Sequence, residues 1–287
     1  MLGHKMFQAS FVAFADTWCT LHGKIGDYPV RGIDAFRSRQ IVEDCEAMDL
    51  DAIDSLLDRL RPSVVINCVG IIKHRPAASE SIASITLNSL LPHRLAQTLS
   101  SWQGRLIHIS TDCVFDGIRG SYTEEDATNA VDLYGRSKAL GETVRSNSLT
   151  LRTSIIGREL RSHNSLLDWF LSQNHGSVAG YRRALWSGVT TNHLADLIVS
   201  LIALGPTLSG LYHVSSGNTS KFELLHLIKT AYKLDVEIRP DENYVLDRTL
   251  SGRKLEAAMA YRCPPLDHLI REMAGDPTEY QPTSINQ

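Results

Sequence analysis

The sequence predicts an α/β fold in which a doubly wound parallel sheet carries helices on both faces, with a smaller C-terminal lobe. In the first half of the 287-residue chain, short apolar runs rich in β-branched residues alternate with stretches of helical spacing. Buried strands separated by helices are typical of βαβ units and a parallel sheet. A hydroxyl pair follows one of these runs, at the carboxyl edge where such sheets bind ligands.

The elements follow from the hydrophobic periodicity. Predicted strands lie at residues 41–42, 64–66, 106–109 and 149–153, and predicted helices at residues 50–60, 82–100 and 131–145. The second half is predicted to contain helices at residues 166–171, 190–204, 222–232 and 266–274, and a strand at residues 211–214. We expect a Rossmann-type dinucleotide-binding domain over residues 1–155 and a substrate-binding lobe over residues 156–287, with residues 186–215 returning to the first domain.

Composition narrows the class of function. Charged residues make up 21% of the chain and the formal net charge is -3, which does not favour a nucleic-acid partner. The five cysteines are dispersed without a Cys-x-x-Cys pair, and the histidines lack metal-ligand spacing, so we expect reduced thiols and no metal site. No apolar stretch is long enough to span a bilayer and no signal peptide is visible, which predicts a cytoplasmic protein without a membrane partner.

The chemistry is predicted from Tyr134 and Lys138, whose spacing of four places both side chains on one helical face. Alone, this pattern more often marks an exposed tyrosine and lysine on a solvated face. Its context changes the interpretation, because Ser110 and Thr111 end the preceding apolar run. A hydroxyl at a strand end followed by a Tyr/Lys helix is the layout of the short-chain dehydrogenases. Only one of the two hydroxyls can face the site, because successive strand residues point to opposite faces.

A longer motif resembles one family within this class. Residues 110–117 read Ser-Thr-Asp-Cys-Val-Phe-Asp-Gly, residues 120–126 read Gly-Ser-Tyr-Thr-Glu-Glu-Asp, and residues 134–142 read Tyr-Gly-Arg-Ser-Lys-Ala-Leu-Gly-Glu. Together with residues 62–70, 88–96, 151–154 and 247–250, these runs resemble the dTDP-4-dehydrorhamnose reductase family of the extended short-chain dehydrogenases. The resemblance covers nearly the whole chain.

The resemblance implies the catalytic roles. Tyr134 would be the general acid that protonates the sugar carbonyl oxygen as hydride arrives from NADPH or NADH. Lys138 would lower the pKa of Tyr134 and hydrogen-bond the nicotinamide ribose. Thr111, which the family pattern favours over Ser110, would hydrogen-bond the carbonyl oxygen and hold it near the tyrosine.

The resemblance also implies the binding residues. The cofactor would be bound by Tyr134 and Lys138 together with Gly3, Asp44, Asn67, Cys68 and Gly70, of which Asp44 would receive the adenine amino group. The substrate would be bound by Thr111, Asp112, Arg183, Trp186 and Arg248, whose arginines suit a diphosphate. Ordinary roles in turns, strand ends and solvated loops remain alternatives for these residues. Asn88 would bridge to the active-site strand by hydrogen bonds. His22 stands where the choice between NAD and NADP is made and does not decide it.

The amino terminus departs from the order expected of this fold. A doubly wound domain begins with a buried strand and a glycine-rich turn, whereas residues 1–6 have the character of a helix start, with Gly3 in the place of the third glycine. Either the protein begins roughly a dozen residues further upstream, or the short chain is real and binds dinucleotide weakly. The intact catalytic residues favour the first interpretation.

Three functions remain open. The resemblance favours reduction of a 4-keto group on a nucleotide-linked 6-deoxysugar for dTDP-rhamnose and polysaccharide biosynthesis, with a homodimer as a compatible assembly. Epimerase or dehydratase chemistry on the same substrates is the second, although dehydratases of this superfamily usually place Asp-Glu after the active-site threonine and here Asp112 precedes Cys113. The third is a non-catalytic regulatory subunit, since the methionine adenosyltransferase regulatory subunit resembles this same family.

Overall fold

The computed structural model describes residues 1–28, 34–71, 80–160, 165–205 and 208–280. Its helices are α1 (Leu2–Ala13), α2 (Leu50–Leu60), α3 (Ser81–Ile85), α4 (Leu91–Ser100), α5 (Leu133–Leu140), α6 (Leu166–Ser172), α7 (Thr191–Ala203), α8 (Lys221–Tyr232), α9 (Arg253–Met259) and α10 (Leu266–Ala274). Its strands are β1 (Cys19–Thr20), β2 (Ile41–Val42), β3 (Val64–Asn67), β4 (Arg105–Thr111), β5 (Ser148–Thr153), β6 (Ile155–Ile156), β7 (Ser177–Tyr181), β8 (Ala184–Trp186), β9 (Val189–Thr190), β10 (Gly210–His213), β11 (Thr219–Ser220), β12 (Glu237–Asp241) and β13 (Leu246–Asp247).

The centre of the fold is a parallel four-stranded sheet in the order β10-β5-β4-β3. Its two faces are covered by different helices, because side chains alternate along each strand. Leu106 of β4 packs with α2 and α4, whereas its neighbour Ile107 packs with α1 and α7. The predicted α/β class, with a doubly wound parallel sheet and helices on both faces, is confirmed.

The amino-terminal segment forms a helix, as predicted for residues 1–6. Leu2 and Met6 of α1 are buried against the sheet and α7. Lys5 of the same helix forms a buried ion pair with Asp276, which ties α1 to the carboxyl-terminal segment. Strands β1 and β2 pair in parallel with each other and form a sheet of their own. In the strand order expected of the fold, the first strand would separate this pair from β3.

The C-terminal half adds a second apolar core and several short strands that the sequence analysis did not predict. Strand β7 pairs in parallel with β12, and β8 lies between β11 and β13. Helices α6, α8 and α10 pack on this core. In contrast, α7 packs against α1, and β10 completes the central sheet beside β5. None of the described helices is long and apolar enough to cross a membrane.

Two predicted helices have different bounds in the structure. The segment predicted at residues 82–100 is divided into α3 and α4 by a wider π-helical turn at Thr86–Leu90. The helix predicted at residues 131–145 is limited to α5, whose C-cap is Gly141. A Cβ at Gly141 would overlap the carbonyl oxygen of Asn88. The end of α5 is therefore set by close backbone contact with the neighbouring helix, which helical periodicity does not encode.

Candidate active site

The candidate site lies at the carboxyl end of β4, where α5 crosses the strand closely. Thr111 ends β4, and its hydroxyl accepts a hydrogen bond of 3.2 Å from the backbone N–H of Cys113. At the start of α5, Gly135 lies directly against the carbonyl of Cys113, where a side chain would overlap it. This approach brings Tyr134 close enough to Thr111 for the threonine hydroxyl to affect the pKa of the phenol, while the Thr111 hydroxyl donates a 3.2 Å hydrogen bond to Oδ1 of Asp112. One turn later, Lys138 Nζ donates a 2.7 Å hydrogen bond to the carbonyl oxygen of Ile109.

The three predicted catalytic residues are thus together, and burial dominates their electrostatics. Burial raises the pKa of Tyr134, with Cys113 and Asp112 acting in the same direction and the Thr111 hydrogen bond opposing them. Burial lowers the pKa of Lys138 to about 8, opposed by Glu142. We expected Lys138 to lower the pKa of Tyr134, but desolvation of the phenolate is the larger effect in this chain. Tyr134 therefore stays protonated at neutral pH, as a proton donor requires.

The hydroxyl of Ser110, the alternative to Thr111, is hydrogen-bonded to another side chain. Its Oγ donates a 2.6 Å hydrogen bond to Oε1 of Glu142, just beyond the end of α5. Arg152 of β5 donates to both oxygens of the same carboxylate, at 2.7 Å from Nε and 2.6 Å from Nη2. The arginine and glutamate side chains are 4% and 8% exposed. The sequence analysis did not single out this buried pair, because its members come from different elements.

Residues predicted to contact the cofactor gather near the end of β3. A Cβ at Gly70 would lie 3.0 Å from Oδ1 of Asn88, closer than an ordinary contact, and 3.9 Å from Nζ of Lys138, so the glycine allows the backbone to lie close to both side chains. Gly3, at the start of α1, lies opposite Cys68, whose pKa is raised to about 12 by burial. Asn67 is buried, and its Oδ1 accepts a 3.0 Å hydrogen bond from the backbone of Val69.

The lysine beside Gly70 offers hydrogen-bond donors. An ammonium group has three N–H donors, and the one hydrogen bond described for Lys138 Nζ goes to Ile109. Donors of this kind are compatible with the hydroxyl groups of a dinucleotide ribose.

Asp44 lies at a second position of the same predicted site. It follows β2 in the left-handed region, with φ 52°, and its N–H donates to the carbonyl of Gly23 at 2.9 Å. A cavity of about 330 Å³ at these strand ends is lined by His22, Gly23, Asp27, Asp44 and Glu46. The cavity is rich in carboxylates, and His22 pairs with Glu46 across it at 3.6 Å.

The predicted substrate residues are only partly brought together. Arg248 lies beside the Asp112–Val114 turn, with Nε donating to the carbonyl of Phe115 at 2.9 Å. Trp186 is buried, and its Nε1 donates to Ser154 Oγ at 2.8 Å. Arg183 is exposed in the loop between β7 and β8, and its role stays a prediction.

Lys221 is a site residue that the sequence analysis missed. It is the first residue of α8, and its ammonium lies over the ring of Trp186, 5.1 Å from the centroid. Burial lowers its pKa to about 8, while Asp112 and Cys113 raise it. Burial raises the pKa of Asp112, and the positive charges of Lys221 and, to a smaller extent, Arg248 oppose that rise. The signal for Lys221 in the sequence was weak, because a lysine after a helix cap is usually solvated.

Asn88 has a structural role different from the predicted one. It is fully buried, which excludes a surface position. Its Oδ1 accepts from the backbone N–H of Ile71, and its Nδ2 donates to Ser137 Oγ at 3.1 Å. Asn88 therefore joins the segment after β3 to α5 and does not bridge to the active-site strand β4.

Comparisons with known proteins show the family and the fold of the chain. Residues 31–248 match the family model described as the RmlD substrate binding domain. The rat protein named methionine adenosyltransferase 2 subunit beta is 27% identical over 248 residues, covering 81% of this chain and 72% of that protein. A dTDP-4-dehydrorhamnose reductase from Aggregatibacter actinomycetemcomitans is 26% identical over 193 residues, covering 63% of this chain and 66% of that protein. The structure of dTDP-4-dehydrorhamnose reductase from Bacillus anthracis with NADP has the same fold, with TM-score 0.72 and 21% identity over 81% of this chain and 88% of that one.

Proposed function

Because the chain belongs to the family described as the RmlD substrate binding domain, we propose that it is an NAD(P)H-dependent reductase of a keto group on a nucleotide-linked 6-deoxysugar. The observation that carries the proposal is the grouping of Thr111, Tyr134 and Lys138 at the carboxyl end of β4. A relative named dTDP-4-dehydrorhamnose reductase supports the substrate class.

The chain's own residues account for the proton half of the reaction. Thr111 donates a hydrogen bond to the sugar carbonyl oxygen and holds it beside the hydroxyl of Tyr134. Tyr134, kept protonated by burial, transfers its proton to that oxygen as the alcohol forms. The Lys138 ammonium, fixed by Ile109, stabilises the phenolate that this transfer leaves.

NADPH or NADH, when bound, supplies the hydride to the carbonyl carbon. In this proposal Lys138 and Gly70 hold its nicotinamide ribose, and Asp44 holds its adenosine end; the neighbourhood of Gly70 and Lys138 and the cavity beside Asp44 support these roles. A structure of a reductase with NADP at TM-score 0.72 supports this fold as a dinucleotide carrier.

The substrate side is suited to an anionic sugar nucleotide. Lys221 and Arg248 both face Asp112, which follows the catalytic threonine directly. Two cations set against one carboxylate leave a local positive charge in a protein whose overall charge is -3. Such a local field, together with directed hydrogen bonds, attracts a diphosphate.

The proposal is tested by following nicotinamide absorbance with dTDP-4-keto-6-deoxyglucose and with its UDP-linked counterpart. We expect substrate-dependent oxidation of NADH or NADPH, and a loss of about 10²–10⁴-fold in kcat in Tyr134→Phe, the range typical of a lost general acid. Tyr244→Phe, which changes a tyrosine that is 50% exposed, serves as the control. Absence of turnover with every keto-sugar nucleotide would refute the proposed activity.

A second candidate is a subunit that binds methionine adenosyltransferase, because relatives of that name match the chain. Gel filtration of the chain with a catalytic methionine adenosyltransferase subunit distinguishes the two functions. If the chain is a reductase, we expect the two proteins to elute separately. Co-elution, together with altered synthesis of S-adenosylmethionine and no sugar reduction, would favour the subunit.

A further inference from the structure

Two consecutive residues of β4 are tied to the chain on either side of the end of α5. The carbonyl oxygen of Ile109 accepts a 2.7 Å hydrogen bond from Lys138 Nζ. The hydroxyl of Ser110 donates a 2.6 Å hydrogen bond to Oε1 of Glu142. Because Lys138 and Glu142 are four residues apart, the two contacts hold one side of this segment against the strand that ends in the catalytic threonine.

The Glu142 carboxylate accepts three hydrogen bonds from protein donors and is largely kept from water. Oε1 accepts from Ser110 Oγ and from Arg152 Nε at 2.7 Å, and Oε2 accepts from Arg152 Nη2 at 2.6 Å. Exposure of the two charged side chains is 4% for Arg152 and 8% for Glu142. Buried ion pairs contribute little net stability compared with apolar residues of similar size, so this pair points to a role beyond packing.

Arg152 is itself held on its other sides. Its guanidinium lies over the ring of Phe115 at 5.1 Å from the centroid, and Nη1 lies 3.3 Å from Nε2 of His213. Burial and, to a smaller extent, the positive charge of Arg152 lower the pKa of His213 to about 3. The imidazole of His213 is therefore neutral. The cluster therefore consists of one cation, Arg152, and one anion, Glu142.

We propose that Glu142, clamped by Arg152 and Ser110, is a positioning residue for the proton donor, which fixes α5 against β4 and supplies the negative charge that acts on Lys138. The expected effect of Glu142 on turnover rests on the proposed reductase function. The expected effect of Glu142 on the titration of Lys138 does not rest on that function, because Lys138 titrates in the protein without substrate.

The groups facing Lys138 single out Glu142. On α5 itself the neighbour is Tyr134, which burial keeps protonated. Cys68, after β3, has its pKa raised to about 12 and is a neutral thiol. His108 of β4 has its pKa lowered by burial and is a neutral imidazole. Glu142 is the carboxylate among these neighbours, and it opposes the burial that lowers the pKa of Lys138 to about 8.

The test is an NMR titration of protein labelled with ¹³C at the lysine Cε atoms, in which the Lys138 signal is assigned by its loss in Lys138→Met. We expect a wild-type midpoint at about 8. Glu142→Gln should lower that midpoint by at least about half a pH unit, because a nearby anion is lost and Arg152 becomes an unpaired cation. Arg152→Met should raise it, because the carboxylate is left without its partner.

Opposite shifts in the two variants are a signature that a purely structural role would not produce. The double variant Glu142→Gln/Arg152→Met leaves no buried charge unpaired and should fold where a single variant does not. It should still show a midpoint below the wild-type value. Asp54→Asn, which removes the carboxylate paired with Arg94 at 2.5 Å between α2 and α4, serves as the matched control and should leave Lys138 unchanged.

The proposal is overturned if the folded double variant titrates at the wild-type midpoint, or if both single variants shift Lys138 in one direction. It is also overturned if the double variant fails to fold, because the pair would then serve stability alone. Turnover gives the second readout, in which the alkaline limb of kcat/KM should move with the Lys138 midpoint. A shifted midpoint without turnover in any variant would contradict the reductase function and leave the role of Glu142 standing.

Discussion

At the scale of single residues, Tyr134 and Lys138, the two groups that we propose act in proton transfer, have pKa values displaced in opposite directions. Burial raises that of Tyr134 and lowers that of Lys138 to about 8. A tyrosine that stays protonated suits reduction, in which it gives a proton away. The lysine, in contrast, changes charge within the range in which enzymes are assayed, so Lys138 is expected to control the response to pH.

We predict that kcat/KM falls as the pH rises through about 8, because kcat/KM reports the pKa values of the free enzyme. The depressed pKa of Lys138 means that the ammonium is present below about 8 and is lost above it, together with its stabilisation of the Tyr134 phenolate. The measurement is a kcat/KM profile between pH 6 and pH 10, with Lys138→Arg as the control because its guanidinium stays charged over this range. An alkaline limb at the same pH in Lys138→Arg would show that another group titrates.

The residues that were predictable from sequence are those that lie close together in a short motif. Thr111, Tyr134 and Lys138 were expected on one site because a strand end and a helix follow each other in the chain, and the structure brings them together. Lys221 and Arg152 act on the same site from α8 and β5. Nothing in their local sequence distinguishes them from a solvated lysine and an ordinary strand arginine.

At the scale of elements, the geometry of the site depends on how closely α5 packs against its neighbours. Gly135 lies against Cys113 at one end and Gly141 lies against Asn88 at the other. Helical periodicity predicted a longer helix because it registers apolar spacing and not backbone contact. The same limit explains β7, which has exposed residues at every second position and little apolar character to reveal it.

We predict that Gly141→Ala destabilises the fold and reduces turnover. The added Cβ would overlap the carbonyl oxygen of Asn88 and push α5 away from β4, at a cost of roughly 1–3 kcal/mol typical of overpacking. Urea unfolding gives the change in stability. Gly26→Ala is the matched control, since a Cβ there meets nothing within 4 Å. Equal unfolding midpoints for the two variants would contradict the packing argument.

The strand ends of β1 and β2 predict a preference between the two nicotinamide cofactors. The cavity beside them is lined by Asp27, Asp44 and Glu46, which would repel the 2′-phosphate that distinguishes NADPH. We expect NADH to bind at least about fivefold more tightly than NADPH, measured as dissociation constants from nicotinamide fluorescence. Asp44→Asn should narrow the ratio, whereas the exposed Glu125→Gln should not. Tighter binding of NADPH would contradict this interpretation.

At the scale of the whole molecule, the site is assembled from both halves of the chain. The central sheet and α5 supply Thr111, Tyr134 and Lys138, the proposed catalytic residues. The C-terminal half supplies Trp186, Lys221 and Arg248, the residues that we propose lie on the substrate side. The parallel sheet and its covering helices were predictable because buried strands and helices leave strong periodic signals. The short strands that carry the C-terminal residues over the sheet were not, because their positions depend on long-range pairing.

Isotope transfer is the measurement that shows whether the assembled site reduces a keto group. The chain is incubated with dTDP-4-keto-6-deoxyglucose and NADH carrying deuterium at the transferable C4 position, and the sugar is analysed by mass spectrometry and NMR. We expect one deuterium at C4 of a reduced sugar, lost when Tyr134 is replaced by phenylalanine. Recovery of an epimerised or unchanged keto-sugar without deuterium would contradict it.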